Sequence, residues 1–174
     1  MNLSEYFTKE ELIYSETALK YKIKNEPNEI HLKTLKHTAV YFLEPLRKLF
    51  NEKYKTYRNK SVAYVYIKIT SGYRSKLLNE KVKGSTTSQH CTGEAVDFDI
   101  ICKYKDGKTY KIPYTTVYND IKTWVKEKKI SVDQLICEKS GSTFWTHCSY
   151  KAAGATVNRK QFMKYINGTY INDK

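Results

Sequence analysis

The stretch Ser88-Gln89-His90-Cys91-Thr92-Gly93-Glu94-Ala95-Val96-Asp97-Phe98-Asp99-Ile100 decides the fold, because it runs a histidine through a glycine turn into an apolar strand that carries acids. Alternation along Ala95 to Tyr104 puts Ala95, Asp97 and Asp99 on one strand face and Val96, Phe98 and Ile100 on the other. A carboxylate at Asp97, on a core-adjacent strand, needs a partner. A second histidine in a similar setting, His147, follows in Phe144 to Tyr150, a segment that reads as a strand with Trp145, His147 and Ser149 on one face. Two imidazoles and one carboxylate supply three ligands of a tetrahedral zinc site and leave one position free, the arrangement of a catalytic centre. The other two histidines, His31 and His37, fall on the polar side of a helix.

Working outward, Asp106-Gly107 suits a tight two-residue hairpin between Ala95–Tyr104 and a return strand over about Thr109 to Ile112. Upstream, Val62 to Thr70 is β-branched and aromatic and reads as a buried strand ending at the Ser71-Gly72 turn, with a short helix near Ser75 to Val82. From Ile30 to Phe50 the residues Leu35, Ala39, Phe42, Leu43, Leu46 and Phe50 recur at helical spacing, and Pro45 is expected to kink that helix. A shorter helical stretch, Lys9 to Ala18, has Thr8 as its cap with Glu11 three residues on. Downstream, Val117, Ile121, Trp124 and Val125 mark a helix capped by Thr115 or Thr116. Val132 to Cys137 and Phe144 to Tyr150 form two strands around a Ser-Gly-Ser loop, and Asn158 to Asn167 reads as a closing helix with Gly168 beyond. The expected fold is α+β: a small domain over 1–174, a mainly antiparallel sheet flanked by helices, with 1–27 as an N-terminal arm packed on it.

The composition fits such a domain. Thirty-one Lys and Arg against 18 Asp and Glu give a net charge of +13, and 40% hydrophobic residues are enough for a core. No window approaches the run of about 18 apolar residues that a membrane span needs. The start, Met1-Asn2-Leu3-Ser4-Glu5, lacks the layout of a secretion signal, so a cytosolic origin is expected. Cys91, Cys102, Cys137 and Cys148 show no CxxC spacing and are expected as reduced thiols, with Cys91 and Cys148 pointing away from the adjacent histidines.

Several further words stand in order around this core: Ser71-Gly72-Tyr73-Arg74-Ser75, Leu78-Asn79, Asp133-Gln134-Leu135-Ile136-Cys137-Glu138 and Trp145-Thr146-His147-Cys148-Ser149-Tyr150, with Tyr6 to Leu12 and Glu44-Pro45-Leu46-Arg47 before them. Together they resemble the M15 family of zinc peptidases, especially its small phage and prophage branch, over roughly residues 4 to 150. The resemblance implies the D-Ala-D-Ala peptidase or Hedgehog-like fold and cleavage of the peptide stems of bacterial peptidoglycan by a D,D- or L,D-peptidase. Carried over by position, it implies His90, Asp97 and His147 as ligands of Zn2+, and Arg74 and Ser88 as residues that hold the substrate. It also implies that Arg74 stabilises the developing oxyanion, a role that suits a planar guanidinium; Ser88 alternatively only caps the following turn.

The sequence departs from many relatives at Phe144, three residues before the last histidine, where they carry Asp or Glu. Glu138 is the expected general base in its place, because a short antiparallel return brings it opposite the region of His147; Asp99 is the second choice, or an acceptor that orients a ligand histidine. Glu94 faces away. The implied setting is a phage endolysin made in the host cytoplasm, or a virion-associated lysin, with the oligomeric state open. Phe144 also admits a non-catalytic M15-like structural or wall-binding module. A nucleic-acid binder stacking bases on Tyr64, Tyr66 and Tyr73 is the weaker rival, since those tyrosines are expected to form core.

Overall fold

A computed structural model describes residues 1–151 and 157–173. Its centre is an eight-stranded sheet built from β1 (Thr56–Tyr57), β2 (Lys60–Ser71), β3 (Ala95–Tyr104), β4 (Thr109–Lys111), β5 (Gln134–Ser140), β6 (Thr143–Ser149), β7 (Gln161–Ile166) and β8 (Thr169–Asn172). The strand order is β1-β2-β3-β6-β5-β7-β8, with β4 pairing to the far end of β3. Every pairing is antiparallel except β5 with β7. Fold class and sheet character therefore agree with the α+β expectation.

One sheet face is the core. Val65, Ile67, Val96, Phe98, Ile100, Cys102, Leu135 and Cys148 meet Leu35, Ala39, Phe42, Leu43, Leu46 and Phe50, all six of which are fully buried as their helical spacing requires. Those six lie on α3 (Glu29–Thr38), a π-helical turn (Ala39–Leu43) and α4 (Glu44–Lys53). The expected kink at Pro45 takes the form of this π-turn. Pro45 has no N–H to donate into the preceding turn, and the Glu44 N–H reaches back to the Ala39 carbonyl. α6 (Tyr114–Lys126) supplies Val117, Ile121, Trp124 and Val125 to the same core.

Several local expectations need correction. The first stretch is two helices, α1 (Lys9–Ile13) and α2 (Glu16–Lys20), because Ser15 caps the second just as Thr8 caps the first. Helix α6 begins at Tyr114 behind Pro113, so Thr115 and Thr116 lie within it and cap nothing. At Asp106-Gly107 only Gly107 has positive φ, and the loop closes on Tyr104 and Lys108, one residue longer than a two-residue hairpin. Tyr73 is buried, whereas Tyr64 is exposed and Tyr66 half-buried: alternation turns both away from the side where Val65 and Ile67 meet the core.

The largest correction is at the C-terminus. Residues 158–167 form no helix; 161–166 are β7, paired in parallel to β5, and β8 returns antiparallel. The turn between them is Asn167-Gly168 with φ of 46° and 96°, the left-handed pair that a two-residue hairpin demands. Among the described residues no helix is long and apolar enough to cross a membrane.

Candidate metal centre and active site

The second sheet face carries the chemistry. Asp97 sits in β3 directly opposite His147 in β6 and Ser71 in β2. In an antiparallel ladder opposed residues share a face, so the register alone brings Asp97 and His147 together. His90 arrives from a 3₁₀ turn, Gln89–Thr92, which ends in left-handed Gly93 and feeds straight into β3. His147 Nδ1 lies 2.8 Å from Asp97 Oδ1 and 3.3 Å from His90 Nε2, and His90 Nε2 is 3.4 Å from the same carboxylate oxygen. All three residues are buried. Among the described residues this is the one group of His, Cys, Asp or Glu whose ligand atoms gather within 4.8 Å.

Surrounding groups select which atoms face inward. The Gly72 carbonyl lies 2.6 Å from His90 Nδ1 and accepts its N–H, leaving the Nε2 lone pair for the centre. Arg74 Nη2 donates to Asp97 Oδ2 at 2.7 Å, and Arg74 Nε donates to Ser71 Oγ, which leaves Oδ1 for the imidazoles. Burial pushes His90 below the usual histidine range, with Asp97 opposing, so its neutral form is favoured. Burial works against the charge on Asp97, yet the imidazoles beside it, His147 hydrogen-bonded to it among them, hold it well below the usual carboxylate range. Two imidazoles and one ionised carboxylate, with His90 Nδ1 held by the Gly72 carbonyl and Asp97 Oδ2 by Arg74, fit a divalent zinc ion.

Glu138 lies on the same face. It pairs with Trp145, two residues from His147 along β6, and its Oε1 is 3.9 Å from His147 Nδ1. Burial, aided by the charge of Asp97, raises its pKa to about 7 against the pull of His147, Arg74 and a hydrogen bond from Trp145. Phe144 points to the opposite face, where its ring stacks on Tyr114 of α6 at 4.6 Å. A carboxylate at position 144 would thus face the helix layer, away from the imidazoles.

Other expected residues fall outside the cluster. Asp99 shares the Asp97 face but pairs with Lys111 at 2.7 Å, so it orients no ligand histidine. The Glu94 carboxylate accepts from Thr92 at 3.0 Å. Ser88 precedes the 3₁₀ turn and its hydroxyl makes no cap, leaving the structural alternative unfilled. All four cysteines are free thiols; Cys148 is buried in the core on the far face from His147, while Cys91 lies on the 3₁₀ turn, not on a strand.

Two supporting contacts escaped sequence reasoning. Ser71-Gly72 signalled a turn, yet Gly72 also sets the His90 tautomer. Nor did spacing link Arg74 to Asp97, because the pair forms only when the end of β2 lies against β3.

A buried trio of two imidazoles and a carboxylate, with a further carboxylate beside it, is the donor set of a metallohydrolase. A family profile described as Peptidase M15 matches residues 5–133, well over half of the chain. The chain belongs to the peptidase M15 family. That match contains Arg74, Ser88, His90 and Asp97 and ends before Glu138 and His147, which the sheet register supplies. No curated protein matches the chain.

Proposed function

We propose that the chain is a zinc-dependent peptidase that hydrolyses peptide stems of bacterial peptidoglycan, with His90 Nε2, Asp97 Oδ1 and His147 Nδ1 as metal ligands. The observation that carries this reading is the position of Glu138, a buried carboxylate 3.9 Å from His147 on the one face where the three donor atoms converge. Zinc, when bound, supplies Lewis acidity toward the scissile carbonyl and toward a nucleophilic water. Glu138 accepts the proton that the attacking water loses and returns it to the leaving amine; a carboxyl raised by burial is suited to both halves of that exchange. Arg74 positions Asp97 through one N–H and adds fixed positive charge beside the oxygen that becomes anionic. Ser88, at the entrance to the 3₁₀ turn, holds substrate in this reading.

The substrate class and the setting of a phage lysin, released from the host cytoplasm or carried on the virion, come from the family resemblance. The non-catalytic alternative leaned on Phe144, and a side chain turned to the helix layer bears on catalysis in neither direction. Glu138→Gln tests the proposal: on purified wall, with released fragments followed by mass spectrometry, hydrolysis should fall by roughly 10²–10⁴-fold while metal content stays at one zinc per chain. Near-normal turnover by that variant would remove Glu138 from the mechanism.

A further inference from the structure

The β7–β8 hairpin, which lies beyond the family match, continues the active-site face of the sheet. Glu138 pairs with Trp145 on one side and with Tyr165 on the other, and Tyr165 pairs with Tyr170. Paired residues share a face, so Trp145, Glu138, Tyr165 and Tyr170 form one row across β6, β5, β7 and β8. Strand spacing of about 4.8 Å places Tyr170 roughly 10 Å from Glu138, the reach of about three extended residues. The two tyrosine rings lie 4.7 Å apart at 49°; Tyr165 is half-buried and Tyr170 is 59% exposed. Burial pushes the Tyr170 phenol above its usual range, and so do the charges of Glu138 and Asp97, which places it within the field of the catalytic carboxylates.

The hairpin is held firmly for a surface element. Asn167 Oδ1 accepts from the Gly141 N–H at 3.0 Å, and the Asn167 backbone N–H donates to the Lys139 carbonyl. Asp173, just past β8, takes Tyr118 Oη at 2.8 Å and Lys122 Nζ at 3.1 Å from α6. Two aromatic rings on an anchored hairpin, in line with the proton-transfer carboxylate, form a preorganised binding wall.

We infer that Tyr165 and Tyr170 are specificity-determining residues that hold the C–H surface of the wall fragment on one side of the scissile bond. This rests on the peptidase reading of the site. The C–H surface could belong to the sugar ring of a muropeptide or to an alkyl side chain of the stem, and two substrates separate these sources: a disaccharide-bearing muropeptide and the same stem peptide without sugar.

The test compares wild type with Tyr165→Ala/Tyr170→Ala, reading zinc content, KM and kcat on both substrates, and sedimentation with intact wall. The double variant should keep its zinc and its kcat within a few-fold, raise KM about tenfold, and bind wall correspondingly less. A KM effect only with the disaccharide assigns the sugar, and one with both substrates assigns the peptide. Unchanged KM and unchanged sedimentation overturn the inference and leave the peptidase reading standing. If wild type binds wall without cleaving it and the double variant does not bind, the peptidase reading falls and the wall stands. If wild type neither binds nor cleaves, both fall.

Discussion

Gly72 shows how closely the site depends on single residues. A Cβ built there would lie 2.1 Å from the backbone oxygen of Leu12, which also accepts the Tyr73 N–H at 2.7 Å. The same glycine's carbonyl fixes His90, so the contact between the N-terminal segment and the end of β2 is one step from the candidate metal centre. Asn25 reinforces it by donating to the Ile13 and Tyr73 carbonyls and accepting from the Ser75 N–H. Gly72→Ala should lose roughly 1–3 kcal/mol of stability, the usual cost of overpacking, and bind zinc more weakly. Gly107→Ala, with nothing within 4 Å of its added Cβ, should cost only the roughly 1 kcal/mol of a left-handed backbone and leave metal affinity alone. Equal zinc affinity in wild type and Gly72→Ala would break the proposed link. The cysteines beside His90 and His147 give the opposite expectation. Neither thiol joins the donor cluster, so Cys91→Ala/Cys148→Ala should keep one zinc per chain, at some cost in stability from the buried Cys148; metal loss in that variant would make a thiol a ligand.

At the scale of elements, the segment that leads into the β7–β8 hairpin is tied to the start of β5 by a buried acid. Asp133 is fully buried at the entry to β5 and accepts from the Arg159 N–H at 3.0 Å and from its guanidinium at 2.9 and 2.5 Å. Burial alone would raise its pKa, but the hydrogen bonds and charge of Arg159 outweigh that and hold it below the ordinary value. A depressed folded-state pKa means that the stabilisation is fully present above about pH 3.9, the unfolded value, and is lost as pH falls through the folded one. Asp133→Asn should therefore unfold more easily at pH 7 by roughly 1–3 kcal/mol, with the gap to wild type closing in acid, measured by urea denaturation across pH. Equal stability at pH 7 would remove Asp133 as the anchor. This hairpin is also where sequence reading failed, and the reason is physical. The helix of 29–53 and the strand of 95–104 announce themselves by their own periodicity, and the nearness of Glu138 to His147 follows from alternation plus one short hairpin. The grouping of His90, Asp97 and His147 was legible only through the family resemblance, since Asp97 meets His147 through the long-range β3–β6 pairing. β7 is specified by a parallel pairing to β5 across intervening chain, which no local pattern encodes. The one local signal was Asn167-Gly168, read as a helix end although the same dipeptide is the strongest short hairpin mark.

At the scale of the whole molecule, the proposed ligands come from three elements, the 3₁₀ turn, β3 and β6. The helices and the apolar core cover the opposite face and do not depend on them. Metal removal should thus loosen the active-site side while sparing secondary structure. A ligand that binds only the folded state adds about 2.7 kcal/mol when present at a hundred times its Kd, and each kcal/mol moves the Tm of a chain this long by about 2–4 °C. Stripping zinc with a chelator should therefore lower Tm by roughly 5–11 °C, leave the far-ultraviolet circular dichroism at 25 °C nearly unchanged, and be reversed by added zinc. His147→Ala removes one of three donors and should flatten that response, whereas Asp99→Asn, whose carboxylate pairs with Lys111, should keep it. If the chelated and zinc-loaded proteins melt together, or if His147→Ala gains as much from zinc as wild type does, the ion is held elsewhere or not at all, and Glu138 has no centre to serve.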